Sequence, residues 1–317
     1  MPRYIVRRVG LALITVLLIS ILIFIGTQLM PGDVARRVLG PFATQAAVDA
    51  LNARLGTDRP VLVQYWDWIS KAVTGDLGFS ISSSRPVTEL LRRALANSAK
   101  LAAVAFVIVV PLSILGGVVA ALRRNQLTDR IITVGGLSVT VIPEFVSGII
   151  LILVFAIWLD WFPGTAAAPA GVGFLVQLQH LILPSIPLVL VLFGYIARIT
   201  RAGVIEALEA DYTRTAILKG LPRSTVIRRD VLRNALLPTI AVVASQVGYL
   251  IGGLVVVEVL FNYQGVGRLL YDAAQKADFP LLAGGVLAVA VAFQVSMLLA
   301  DLAYGWLNPR IRLGGME

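Results

Sequence analysis

The side chains that most often carry out chemistry in enzymes are scarce in this chain. It has no cysteine and one histidine, His180, which excludes thiolate nucleophiles, thiolate metal sites and any HExxH zinc motif. A Ser-His dyad would have to use that single imidazole, and we interpret His180 instead as a capping or interfacial residue before the apolar run 181–192. No GxxxxGK[ST] phosphate-binding loop occurs. The sequence therefore predicts no catalytic residue, metal or cofactor in this chain.

Composition places the chain in a membrane. Hydrophobic residues make up 58% of the 317 residues and charged residues 14%, whereas soluble domains carry about 25% charged residues. Several apolar runs reach the roughly 20 residues that cross a hydrocarbon core. The net charge of +9 follows from arginines and lysines that flank these runs, as in the cytoplasmic loops of membrane proteins. We therefore expect lipid, and not nucleic acid, as the partner of this charge.

Six apolar runs predict an all-α protein with six transmembrane helices. They cover 9–30, 101–122, 131–159, 181–199, 236–261 and 281–307. Pro143-Glu144 predicts a break within the third run. Residues 1–30 form the N-terminal tail and first span, 31–98 a small folded extracytoplasmic region, 99–307 the core with a cytoplasmic loop at 201–236, and 308–317 the C-terminal tail. An even number of spans and the clustering of basic residues predict that both termini are cytoplasmic.

The most polar stretch after residue 100 predicts two short helices. The first ends at Lys219-Gly220, where glycine takes a left-handed conformation without steric cost, and Pro222 starts the second. A flexible linker would be rich in glycine and serine, so this loop is expected to be a rigid docking element. The spacing of Tyr212, Ala216 and Gly220 at i, i+4 and i+8 predicts one narrow exposed face.

This stretch resembles the EAA loop of ABC importer permeases. The peptide branch of that family typically reads Asp-Tyr-x-Arg-Thr-Ala-x-x-Lys-Gly-Leu, and the residues that match here are Asp211, Tyr212, Arg214, Thr215, Ala216, Lys219, Gly220 and Leu221, followed by Pro222. Asp230 departs from the usual histidine, and its role stays open. Further resemblances lie in Gly75-Asp76-Leu77-Gly78-x-Ser80, in Gly265-x-Gly267-Arg268 and in Asp278-x-Pro280. Together, and in this order along the chain, these motifs are similar to those of the first permease of dipeptide, oligopeptide and nickel importers, the DppB or OppB type.

The resemblance implies the type I ABC importer permease fold in the bacterial cytoplasmic membrane. It implies alternating access in a cavity shared with a second, homologous permease, and it assigns the nine matching loop residues to ATPase coupling. Two ATPase domains, separate or fused, would bind ATP and magnesium, so this chain would not be an enzyme. An extracytoplasmic binding protein would deliver the solute. Peptides are the expected solute, with nickel chelates or haem as alternatives.

Three acidic residues lie in or beside apolar runs, where an unpaired charge costs at least a few kcal/mol. They are Glu144, Glu258 and Asp301. Each could line the translocation path; the alternatives are a hydrogen-bonding role for Glu258 at the extracellular gate and a structural ion pair for Asp301. A rival interpretation is an ion-coupled secondary transporter or channel, although we find no inverted repeat between the halves. An intramembrane enzyme is a third, more distant alternative.

Overall fold

The computed structural model describes residues 2–29, 34–40, 42–56, 58–169 and 171–307. Within these ranges the regular structure is helical, apart from an isolated antiparallel bridge between Phe79 and Pro86. The predicted C-terminal tail at 308–317 and the Pro31-Gly32-Asp33 segment lie outside the described residues.

Fifteen α-helices and three π-helical segments occur in the described residues. The α-helices are α1 (Pro2–Leu29), α2 (Val34–Leu39), α3 (Gln45–Leu55), α4 (Val61–Val73), α5 (Val87–Leu122), α6 (Leu127–Arg130), α7 (Gly136–Thr140), α8 (Glu144–Leu151), α9 (Phe174–Glu209), α10 (Asp211–Leu218), α11 (Arg223–Val226), α12 (Leu232–Gly253), α13 (Val255–Leu260), α14 (Val266–Gln275) and α15 (Phe279–Leu307). The π-helical segments are Ile131–Gly135, Ile152–Trp158 and Ile227–Val231.

Five of the described helices are long and apolar enough to cross a membrane, and a bent helix pair brings the number to six if it forms one span. The bent pair joins Leu127–Thr140 to Glu144–Trp158 at an angle of 105°. Pro143 precedes the first residue of α8, so the predicted break at Pro143-Glu144 is confirmed. The sequence did not predict how sharply the chain turns there.

Two helices run well past the ends of the predicted spans. α5 and α9 each contain 36 residues, which at about 1.5 Å per residue gives roughly 54 Å, far more than a hydrocarbon core. α5 starts at Val87, so the end of the predicted extracytoplasmic region at 31–98 belongs to the helix of the second span. Its buried side chains continue as one stripe from Val87 through Leu91 to Ala105, which explains why the helix does not stop. α5 continues through Pro111 without ending there.

The core is built around α9. Leu183, Leu188 and Ile196 of α9 are fully buried and pack with Leu101 of α5 and Leu250 of α12. The helices approach closely where α9 carries glycine: a Cβ added at Gly203 would lie 2.5 Å from the carbonyl oxygen of Ala235 in α12. Any larger residue would push these helices apart, so the glycine fixes their separation. The C-terminal end of α9 is therefore held firmly where the polar loop begins.

Candidate functional site

The loop at 201–236 has the helix, stop and helix that its sequence predicts. α10 covers Asp211–Leu218 and ends before Gly220, whose φ of +76° lies in the left-handed region. The glycine N–H donates to the carbonyl of Ile217 at 2.9 Å. Pro222 then occupies the N-cap position of α11. The local chemistry of glycine and proline is therefore confirmed as the reason for the sharp turn.

One face of α10 packs against the end of α9. The Thr213 side chain is buried, and its hydroxyl donates to the carbonyl of Ala207 at 2.7 Å. Ala216 is also buried, in a cluster that includes Val204 and Val231. Ala216 was expected on the exposed face with Tyr212 and Gly220, and that prediction is wrong. Helical periodicity identifies residues that share a face, but only the tertiary contacts show which face is covered.

Outside the packed side chains of Thr213 and Ala216, α10 and the following turn expose apolar side chains. Leu218 is 80% exposed and Ile217 56%, and Tyr212 and Leu221 are also exposed. We call these four residues the apolar docking patch. The other predicted coupling residues on the exposed side are Asp211, Arg214, Thr215, Lys219, Gly220 and Pro222. The sequence analysis did not identify Ile217 and Leu218, which occupy variable positions of the motif. It also did not identify Thr213, whose side chain holds α10 against the end of α9.

An ion pair ties the end of α9 to the turn after α5. Arg201 donates to both carboxylate oxygens of Asp129, through Nε at 2.6 Å and through a terminal nitrogen at 2.8 Å. The Asn125 N–H donates to the same carboxylate at 2.9 Å. A second pair, Arg124 with Glu209 at 2.5 Å, is largely exposed. The sequence analysis did not single out Asp129; the available signal was one acidic residue within a short basic turn.

Glu258 lies in a closed hydrogen-bonding site and not on an open surface. Its side chain is fully buried; Ser98 of α5 donates to Oε1 at 2.5 Å, and the Arg268 N–H at the start of α14 donates to Oε2 at 3.1 Å. A Cβ added at Gly265 would lie 2.0 Å from Oε1, so only glycine fits there. Glu258 thus joins α5, α13 and the start of α14.

The other two acidic candidates lie in different surroundings. Glu144 is partly exposed at the start of α8 and lines a pocket of about 390 Å³ with Thr140, Phe145 and Val256 among its neighbours. Asp301 of α15 forms an ion pair with Arg8 of α1 at 2.9 Å. The structure therefore does not bring Glu144, Glu258 and Asp301 together in one site.

A buried carboxylate connects two motifs that lie almost 200 residues apart in sequence. Asp278 precedes α15 and is fully buried; it accepts from the Ser80 hydroxyl at 2.6 Å and from the Ser82 N–H at 2.9 Å. Burial raises the pKa of Asp278, but these donors stabilise its charged form more strongly, so its pKa lies below the ordinary value. Asp278 thus fastens the segment before α5 to the start of α15.

Among the described residues, no group of three or more His, Asp or Glu side chains has the arrangement of a metal site. The His180 Nδ1 donates to the carbonyl of Thr165 at 2.8 Å, because a carbonyl can only accept. His180 therefore fastens the loop before α9 to the helix, but it lies within α9, whose N-cap is Gly173, so the expected capping role is wrong.

Known families and proteins match the chain over nearly its whole length. Residues 113–313 match the family described as binding-protein-dependent transport system inner membrane component, and residues 1–108 match the N-terminal family of such components. The glutathione transport system permease protein GsiC of Escherichia coli O6:H1 is 36% identical over 98% of this chain and 99% of its own length. GsiC of Escherichia coli K12 and of Shigella flexneri serotype 5b are each 35% identical over the same shares.

The matched family consists of permeases, which are not themselves catalytic, and the helical architecture agrees with the type I importer permease fold. The chain belongs to the binding-protein-dependent transport system inner membrane components and is an ABC importer permease subunit of the DppB/OppB type.

Proposed function

We propose that this chain imports short peptides across the cytoplasmic membrane, together with a second homologous permease, two ATPase domains and an extracytoplasmic binding protein. The chain and its partner permease form a cavity that opens alternately to either side, and the ATPase domains bind the ATP and magnesium. Both termini and the loop at 201–236 are cytoplasmic. The even number of expected spans and the basic residues next to them support this orientation.

The observation that carries the coupling role is the apolar docking patch on a firmly anchored helix. Leucine and isoleucine side chains that are 80% and 56% exposed at 218 and 217 are typical of a surface that a protein partner covers. Thr213 and Ala216 hold the other face of α10 against α9, so a force on α10 is transmitted to the central helix of the core. Of the nine coupling residues of the motif, Tyr212 and Leu221 belong to this patch, and the other seven surround or support it.

The same anchoring provides a mechanism for coupling. ATP-driven closure of the ATPase domains would displace α10, and α9 would carry that displacement into the helices that pack on it. Glu258 joins α5, α13 and α14 at the other end of the bundle, and we assign it a clamp role at the extracellular gate. Glu144, in the pocket at the helix break, is the acidic residue that we place on the translocation path. Asp301 serves as the structural partner of Arg8.

The coupling role is tested by Leu218→Asp, with Leu127→Asp as the control, since Leu127 is also strongly exposed, at 73%, but lies outside α10. A charge in the apolar docking patch should abolish co-purification of the ATPase and solute-stimulated ATP hydrolysis. The control should retain both. If Leu218→Asp retains ATPase binding and transport at the level of the control, the patch is not the docking surface.

Support for a peptide solute comes from the relatives, which are named as glutathione permeases, and glutathione is a tripeptide. The test is uptake into vesicles that contain the complete transporter and its cognate binding protein. We expect ATP-dependent uptake of labelled di- and tripeptides that competes with unlabelled glutathione or oligopeptides. Uptake of a nickel chelate or of haem without any peptide uptake would refute the assignment and leave the ABC importer role intact.

A further inference from the structure

The apolar face of α4 is wider than the part of it that packs on α1. Tyr65 and Trp68 on this face pack on α1: the Phe24 ring lies 5.4 Å from the Tyr65 ring and 6.0 Å from the Trp68 ring, centroid to centroid. Beside them, the side chains of Leu62, Trp66 and Val73 form a second apolar strip. These three are 76%, 69% and 82% exposed.

The polar side chains of α4 lie on the opposite arc of the helix. At 100° per residue, Gln64, Asp67 and Lys71 fall within roughly 60° of one another, away from the strip of Leu62, Trp66 and Val73. Asp67 pairs with Arg59 at 3.1 Å in an exposed position. A short helix with one charged face and one face of leucine and tryptophan is typical of a helix that lies in a membrane interface.

The attachment to α1 sets the depth of α4. The Tyr65 hydroxyl lies 2.8 Å from Ser20 Oγ, and Ser20 donates to the carbonyl of Leu17, so Tyr65 is the donor. The apolar part of α1 ends at Thr27. At about 1.5 Å per residue, Phe24 lies roughly 5 Å and Ser20 roughly 10 Å below that end. Interfacial helices are buried by about 5–10 Å, so the contacts place α4 at that depth.

The helix to which α4 is attached also has the character of a lipid contact. Leu17, Leu18 and Leu22 of α1 are 51%, 56% and 68% exposed, as expected of a span that lipid surrounds. A tryptophan such as Trp66 is the residue type most enriched at the membrane boundary.

We propose that α4 is an interfacial helix embedded in the leaflet at the Leu29 end of α1, with Leu62, Trp66 and Val73 in contact with lipid acyl chains. This differs from the expectation that the whole segment at 31–98 is extramembrane. The occupant of the strip is lipid and not a protein partner. The proposal does not depend on the transported solute or on the ATPase contact.

The test uses the absence of cysteine in this chain, which allows a single fluorescent label at each chosen position. Trp66→Cys, Leu62→Cys and Val73→Cys probe the strip, and Lys71→Cys probes the exposed polar side as the matched control. The labelled chain is assembled with cysteine-free partner chains in vesicles of phosphatidylethanolamine and phosphatidylglycerol. Quenching is measured with a nitroxide lipid labelled near the headgroup, with one labelled at the acyl-chain centre, and with aqueous iodide.

We expect the headgroup-proximal nitroxide to quench labels at 62, 66 and 73 severalfold more than the label at 71, with the reverse order for iodide. Three positions on the strip are labelled so that the test does not depend on one variant, should that variant fail to assemble. Equal quenching by iodide at 66 and 71 would show that the strip faces water. Protection of 66 from both lipid and aqueous quenchers, or protection that appears only on addition of the binding protein, would show a protein contact. Each of these results would overturn the proposal.

Discussion

The ion pair between Asp129 and Arg201 gives a sharp test of how the end of α9 is held. Asp129→Asn keeps the size of the side chain but removes the charge and one of the two strong acceptors for Arg201. Breaking a buried pair costs about 3–5 kcal/mol, but the Arg201 side chain is 26% exposed and regains part of its hydration. We therefore predict a loss of about 2–3 kcal/mol, which is the upper part of the range for hydrogen bonds to charged groups and lies below the range for broken buried pairs.

The exposed pair on the same elements is the matched control. The side chains of Arg124 and Glu209 are 51% and 65% exposed, and such surface pairs contribute about 0–1 kcal/mol. Glu209→Gln should therefore change stability little. In the thermal unfolding of the purified transporter, Asp129→Asn should lower Tm by roughly 3–5 °C and Glu209→Gln by less than about 2 °C. Equal shifts for the two variants would refute the reasoning, because they would show that burial does not distinguish the two pairs.

Three further predictions follow from the contacts. With single cysteines at Ala167 and Ser224, a membrane-impermeant reagent applied from outside should label the first and not the second; the reverse labelling would contradict the proposed orientation. Glu258→Gln should keep more transport than Glu258→Ala, because the glutamine carbonyl can still accept from one of the two buried donors; equal loss in both variants would indicate that the charge itself is required. Gly203→Leu should lower Tm by several degrees, since its Cβ would meet a backbone carbonyl at 2.5 Å, whereas Gly10→Ala, with open space around it, should leave Tm near that of the unchanged chain.

The sequence predicted those features that depend on local chemistry or on long apolar runs. A membrane helix needs a continuous apolar stretch, so the spans could be located to within a few residues at most ends. The break at Pro143 and the turn at Gly220 follow from the restricted φ of proline and the freedom of glycine. These properties act on one or two residues and do not depend on the rest of the fold.

The features that the sequence did not predict depend on contacts between distant segments. Asp129 and Arg201 are 72 residues apart, and nothing in the local pattern of either shows that they meet. Ala216 was assigned to the wrong face because an alanine fits equally well on a buried or an exposed side. α5 and α9 continue beyond the apolar runs because neighbouring helices pack against the ends of both. Hydropathy describes one segment at a time and does not show which other segments pack against it.

The central claim is that the apolar docking patch of α10 contacts the ATPase, and cross-linking tests it most directly. A cysteine at Leu218, in a chain without other cysteines, carries a short photoactivatable reagent within the assembled transporter. A cysteine at Ala216, on the buried face of the same helix, is the control. We predict a covalent product with the ATPase subunit from position 218 and none from 216. No product from 218, in a complex that still hydrolyses ATP in response to solute, would contradict the account.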